Sequence, residues 1–184
     1  MEPDGRGGPR ALAVVVTGVP GAGKTTLASA LAEKLGAVLL SLDTIKEEIY
    51  EREGMPHGLE LRLAAEKVIG NRLAAATGTV VVDIWIAPVR DTDRVSNLLR
   101  QHTVDIVEVL CRVPADVAVQ RYRSRPRKSP HLPPDEATLG RIRGAVEVFE
   151  PVGIGTCIEV DTCDPVDLQE LLDRLQALPT GAGP

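Results

Sequence analysis

One stretch near the amino end narrows the possible folds more than any other. Gly18-Val19-Pro20-Gly21-Ala22-Gly23-Lys24-Thr25 satisfies every fixed position of the phosphate-loop pattern GxxxxGK followed by Ser or Thr. Its context agrees: Leu12 to Val16 is a short apolar, β-branched run, and Thr26 to Leu35 is a strong helix former. A strand, a glycine loop and a helix in that order gather main-chain N–H groups around an anion. The helix also aims the positive end of its dipole at the same point. Gly18, Pro20, Gly21, Ala22, Gly23, Lys24, Thr25 and Thr26 are therefore expected to surround the polyphosphate of a nucleoside triphosphate. In that pattern Lys24 reaches the β- and γ-phosphates and the Thr25 hydroxyl holds Mg2+.

The rest of the chain alternates strand and helix signals. Apolar runs at 37–41, 79–84, 104–110 and 157–161 read as strands. Helices are expected at 44–51 and 59–76, from an Asp91 cap to Gln101, from Pro114 at a first helical position to Ser124, at 135–150, and from Pro165 onward. Strands this uniformly apolar, separated by helices, indicate an α/β fold with a parallel sheet covered on both faces. Residues 1–10 are expected to form a disordered arm, residues 11–178 one domain, and residues 179–184 a frayed tail. A chain of 184 residues suits such a single core.

Composition excludes several classes. The net charge of −5 gives no general affinity for nucleic acid or an anionic membrane. No apolar run approaches transmembrane length, and the amino end lacks a secretory h-region. Cys111, Cys157 and Cys163 show no paired spacing, so reduced thiols and a cytoplasmic location are expected. His57, His102 and His131 show no metal spacing; His57 has the best functional position, beside the break at 53–58.

Ligands of open parallel sheets bind beyond the carboxyl ends of the strands. Three residues there stand out. Asp43 follows the second strand and fits either of two roles: a carboxylate that holds an acceptor hydroxyl in line, or, with Ser41, a helix cap. Asp83 ends the third strand and fits a carboxylate that binds Mg2+ through water or contacts substrate, or a buried structural acceptor. Ile84 follows it where mechanical AAA-type ATPases place Glu. Trp85 fits either an acceptor-site wall or the core.

Taken together, GVPGAGKTTLA, Asp43, VVVDI, the segment from Val113-Pro114 to Arg125 and the closing Asp161-Thr162 resemble the P-loop small-molecule kinases of adenylate-kinase-like architecture. The zeta-toxin, chloramphenicol-phosphotransferase and polynucleotide-kinase-like branches are the most similar, from Leu12 to about Leu175. The resemblance implies a three-layer P-loop NTPase fold, a five-stranded parallel sheet of order 2-3-1-4-5, and a lid around 121–140. It implies Arg121 against the nucleotide base, Arg125 on the phosphates, Thr162 beside the adenine, and Lys46 on the substrate, where relatives often carry Arg. The basic run Arg121 to Lys128 also fits a solvated face. It fits nucleic acid poorly, since only Tyr122 interleaves it.

The implied activity is ATP- and Mg2+-dependent phosphoryl transfer to a small-molecule hydroxyl of antibiotic, sugar or nucleoside type. Lys24, Asp43 and Arg125 would be its catalytic residues. A 5′-hydroxyl polynucleotide kinase and an ATP-dependent switch without an acceptor are the alternatives. Neither nucleic acid nor a membrane is an expected partner, and the oligomeric state is not legible.

Overall fold

The computed structural model describes residues 12–178 apart from 104, 127 and 132. The expected arm and tail, and the proposed start of the fourth strand at Val104, lie outside the described residues. The elements are β1 (Leu12–Thr17), α1 (Lys24–Leu35), β2 (Val38–Ser41), α2 (Leu42–Glu53), α3 (Leu59–Ala75), β3 (Thr79–Asp83), α4 (Thr92–His102), β4 (Asp105–Arg112), α5 (Ala115–Ser124), α6 (Glu136–Val148), β5 (Thr156–Asp161) and α7 (Leu168–Gln176).

The five strands form one parallel sheet in the order β2-β3-β1-β4-β5. Successive side chains of β1 point to opposite faces. Val14 and Val16 therefore join one apolar cluster with α1, α5, α6 and α7. Ala13 and Val15 join the other with α2, α3 and α4. The inner strands β1, β3 and β4 are buried from both sides, which is why their runs lack polar alternation, whereas the edge strand β5 alternates buried and exposed residues. The fold is the three-layer P-loop architecture that the sequence implied. Among the described residues no helix is long and apolar enough to cross a membrane.

Local chemistry shifts several boundaries. Helix α2 begins directly after β2, so Asp43 sits within its first turn rather than ahead of it. Pro114 occupies the cap position of α5, so the helix starts one residue later than expected, at Ala115. Helix α7 starts at Leu168 rather than Pro165, because the Asp167 carboxylate accepts from the Gln169 and Glu170 amides. Asp135 caps α6 in the same way, through the Thr138 amide at 2.7 Å.

One polar residue of the sheet escapes a pattern reading. Glu108 lies in the middle of apolar β4 and is fully buried. Its carboxylate accepts from the amides of Val152 (2.8 Å) and Gly153 (3.2 Å), which pins the chain entering β5. Burial pushes its pKa up despite those two donors.

Candidate active site

The glycine loop leaves β1 and turns directly into α1. Gly21 has φ 87°, and a Cβ there would run into the carbonyl of Ala118 on α5. Gly18, at φ 146°, approaches Cys111 so closely that a Cβ would lie 2.8 Å from its carbonyl oxygen. These close approaches fold the loop over the ends of β1 and β4. The first turn of α1 holds no acidic side chain and no side-chain cap, so its N–H groups face an anion-compatible opening. Pro20 and Gly23 are half-buried, Ala22 is buried, and Thr26 is exposed.

Lys24 Nζ donates to the Val19 carbonyl at 3.0 Å, which curls the side chain back over the loop. An ammonium has three protons, so others remain for phosphate oxygens. Burial lowers the Lys24 pKa, and the carboxylates of Asp83 and Asp43 oppose that shift. The nearby Arg125 charge lowers it further.

Parallel register brings the next groups together. Asp83 pairs with Val16 on one side and with Ser41 on the other. The Thr25 hydroxyl donates to Asp83 Oδ2 at 2.8 Å, and the Ser41 hydroxyl donates to the same oxygen at 3.0 Å. Ser41 thus serves Asp83 and makes no cap bond to α2. A hydroxyl and a carboxylate beside a phosphate loop form an oxygen donor set that suits Mg2+, which commonly takes one or two protein carboxylates together with phosphate oxygens and water. Among the described residues no cluster of three His, Cys, Asp or Glu offers a metal cage of its own.

Asp43 projects from the first turn of α2 and pairs with Lys46 Nζ at 2.7 Å. Partial burial works against its charge. The Lys46 charge and hydrogen bond outweigh burial, aided by His131 and Lys24, and bring the carboxyl down to about 2. Because Asp43 lies inside the helix, it is not the cap residue, and its carboxylate is left to the site. Lys46 is therefore engaged with Asp43.

On the far side of the glycine loop, Arg121 of α5 donates to the carbonyls of Thr162 (2.8 Å) and Cys163 (2.7 Å). The Thr162 hydroxyl donates to the Ala22 carbonyl at 2.7 Å, tying the segment after β5 to the glycine loop. A Cβ on Gly23 would lie 3.6 Å from Thr162 and 3.8 Å from the Arg121 guanidinium, so these residues border the loop directly. Arg125 is exposed just beyond α5; Arg127 lies outside the described residues. Trp85 is half-buried with its ring centroid 5.1 Å from that of Phe149, and it packs on the α1-side core.

A group that sequence reading missed lies behind Trp85. Asp91, expected as a simple helix cap, is fully buried and makes no cap bond to α4. Its oxygens accept from Arg90 (3.0 and 2.8 Å), Arg94 (2.6 Å) and the Ala87 amide (3.1 Å). Arg62 of α3 pairs with Asp91 at 3.1 Å, donates to Glu66 at 2.8 Å and to the Trp85 carbonyl at 2.8 Å. Arg94 also pairs with Glu66. This cluster shapes the turn after β3, where Val89 adopts φ 65°. The signal was the i,i+4 spacing of Arg62 and Glu66 together with the i,i+3 spacing of Asp91 and Arg94. Nothing in the sequence joins the two helices.

A family model described as AAA_33, an AAA domain, matches residues 14–151. The chain belongs to the AAA_33 family. The match runs from β1 through α6 and takes in the glycine loop, Asp43, Asp83, Arg121 and Arg125. This AAA_33 chain is 28% identical over 172 residues to an adenylyl-sulfate kinase of Picosynechococcus sp., covering 91% of this chain and 90% of the relative. It is 39% identical over 83 residues to a shikimate kinase of Gloeobacter violaceus, covering 40% of this chain and 47% of that one. Among solved structures, a protein of Chloroflexus aurantiacus provisionally named a kinase superposes with a TM-score of 0.75 at 27% identity, covering 94% of the AAA_33 chain and all of its counterpart. A gluconokinase of Sinorhizobium meliloti shares the fold with a TM-score of 0.56 at 24% identity, over 88% of this chain and 87% of that one.

Proposed function

We propose that this chain is an ATP- and Mg2+-dependent phosphotransferase that moves the γ-phosphate to a hydroxyl group of a small molecule. One observation carries the reading. The hydroxyls of Thr25 and Ser41 converge on Asp83 beside Lys24, and an ionised Asp43 stands at the neighbouring strand end. The kinases among the relatives, named for adenylyl sulfate and for shikimate, favour a small-molecule acceptor. The order of motifs supports a place among the zeta-toxin, chloramphenicol-phosphotransferase and polynucleotide-kinase-like branches.

The residues fit the nucleotide and the metal. Gly18 and Gly21 let the loop press against the Cys111 and Ala118 carbonyls, and the uncapped first turn of α1 leaves its N–H groups for an anion. Arg121 and Thr162 would flank the base, and Thr25 with Asp83 would hold Mg2+. Bound Mg2+ neutralises phosphate charge and fixes the phosphates' geometry. Lys24 and Arg125 contribute positive charge where the transferring group spreads its own. Trp85 and Lys46 would border the acceptor, Lys46 chiefly by holding Asp43.

Asp43 is set up to orient rather than to deprotonate. A carboxylate with a pKa of about 2 is a weak base. The transition state of phosphoryl transfer is loose, so the attacking hydroxyl needs alignment more than early proton loss. Asp43 accepts the hydroxyl proton's hydrogen bond and aims the oxygen lone pair along the line of attack. The free thiols of Cys111, Cys157 and Cys163 fit a reducing, cytoplasmic setting.

Radiolabelled ATP incubated with hydroxylated antibiotics, sugars and nucleosides tests the assignment. Transfer to one of these acceptors is the expected result. Labelling of oligonucleotide 5′ ends alone, or Mg-ATP binding without transfer to any acceptor, would replace it with the polynucleotide or the switch reading.

A further inference from the structure

The segment between α5 and α6 carries four prolines, Pro126, Pro130, Pro133 and Pro134, and so has a restricted backbone. Its far end is fastened by the Asp135 cap on α6. Pro130 is buried, and the His131 amide donates to the Lys128 carbonyl at 3.0 Å, which makes a local turn. That turn directs the His131 ring onto α2. His131 Nε2 lies 3.2 Å from Glu47 Oε1, with the two side chains only 18% and 31% exposed. The ring nitrogen is buried and makes no hydrogen bond to the described residues, and the Glu47 carboxylate lies within ion-pair distance of it, a pair that forms when the imidazole carries a proton.

Glu47 follows Asp43 by one helical turn, so the two carboxylates share a face of α2. Lys46, on Asp43, lies between them in sequence. The Glu47 carboxylate of α2 faces the imidazole, and Asp43 of α2 and His57 from the turn before α3 lie within its electrostatic reach. The charge of His131 is felt at both Asp43 and His57. At the near end of the same segment Arg125 lies within electrostatic reach of Lys24. A single side chain thus links the backbone that carries Arg125 to the helix that carries Asp43.

We propose that His131 is a positioning residue: its pairing with Glu47 seats the proline-rich segment on α2, so that Arg125 and Asp43 face the same acceptor space. The inference rests on the kinase reading for its catalytic consequence, but the seating itself needs no acceptor. Either half of the pair, once neutralised, frees the segment from α2 without touching the glycine loop. The acceptor then binds to a site missing one wall, while ATP meets an unchanged loop.

Two measurements on the full chain test this. Hydrogen exchange at the His131 amide, followed by NMR in Mg-ATP, reads the seating directly. His131→Gln and Glu47→Gln are each expected to accelerate exchange about tenfold, and the double variant no more than the faster single. The reversed pair, Glu47→Lys with His131→Glu, is expected to return exchange to within about twofold of wild type. Arg72→Gln, which removes a different pair of α2 (Arg72 to Glu48, 3.1 Å), is expected to change nothing. In transfer assays the two neutral variants are expected to raise KM for the acceptor about tenfold and to leave KM for ATP within about twofold. Unchanged exchange in both single variants, additive effects in the double variant, or equal losses toward ATP and acceptor would overturn the proposal. Should wild type phosphorylate no acceptor, the kinase reading fails and the exchange rates alone decide the seating.

Discussion

Replacing Asp91 by Asn removes one negative charge from a site with no solvent exposure. The carboxylate accepts from Arg90, Arg94 and the Ala87 amide and pairs with Arg62, itself only 9% exposed. An amide of the same shape keeps one acceptor oxygen but turns its other arm toward guanidinium donors. Removing one partner of a buried ion pair costs about 3–5 kcal/mol, because the charge left behind stays buried. The retained carbonyl places Asp91→Asn near the lower bound, about 3 kcal/mol. For a chain of this size each kcal/mol lowers Tm by about 2–4 °C, so calorimetry should show a fall of about 6–12 °C. Arg90→Ala is the contrast. Its side chain is 61% exposed, and such a pair is worth only about 0–1 kcal/mol. Acid should reveal the same carboxylate. Burial opposes its charge, yet Arg90, Arg62 and the Ala87 amide together hold its pKa below the usual range. A depressed carboxyl pKa stabilises the fold above the unfolded value, about 3.9, and that stability disappears as pH falls through the folded value. The variant should lack this component. A melting point within about 2 °C of wild type would show that the cluster does not hold α3 to the turn after β3.

Other substitutions probe the site itself. Lys24→Ala is expected to abolish phosphoryl transfer while far-ultraviolet circular dichroism stays unchanged. Asp43→Asn should retain Mg-ATP binding by calorimetry and lose at least about a hundredfold in kcat, a typical contribution of one positioned catalytic group; unchanged turnover would remove Asp43 from the mechanism. With its carboxyl near 2, Asp43 adds no inflection to the rate profile between pH 5 and 9, and an acidic limb caused by Asp43 would contradict the orienting role. Gly21→Ala forces a side chain into the Ala118 carbonyl at positive φ. It should cost about 1–3 kcal/mol by strain and weaken nucleotide binding measured by fluorescence titration.

Residues that act through contiguous sequence were legible. The glycine loop needs eight successive positions, and its geometry follows from glycines at three of them. The inner strands announced themselves because β1, β3 and β4, buried on both faces, tolerate few polar residues. What remained hidden depends on distance through space. Ser41 read as a cap because nothing near it in sequence reveals that parallel register sets it beside Asp83. Asp91 read as a cap because its position before α4 suits one, whereas three arginines from two helices and a turn compete for the same oxygens. Glu108 was passed over inside an apolar strand, since the amides that satisfy it belong to residues 152 and 153. Trp85 fitted core and acceptor wall alike, and its contact with Phe149 supplies the core packing.

The Thr162 hydroxyl reaches back across 140 positions of chain to grip the carbonyl of Ala22. The glycine loop is thus braced by a residue that leaves the ribosome only after β5. A nascent chain paused after α6 would already hold the loop's eight residues, yet would lack the strand and the hydroxyl that brace them. Competence to take up nucleotide should therefore arrive late in synthesis, with β5. An expression fragment trimmed to the matched span of 14–151 would inherit the signature without its clasp.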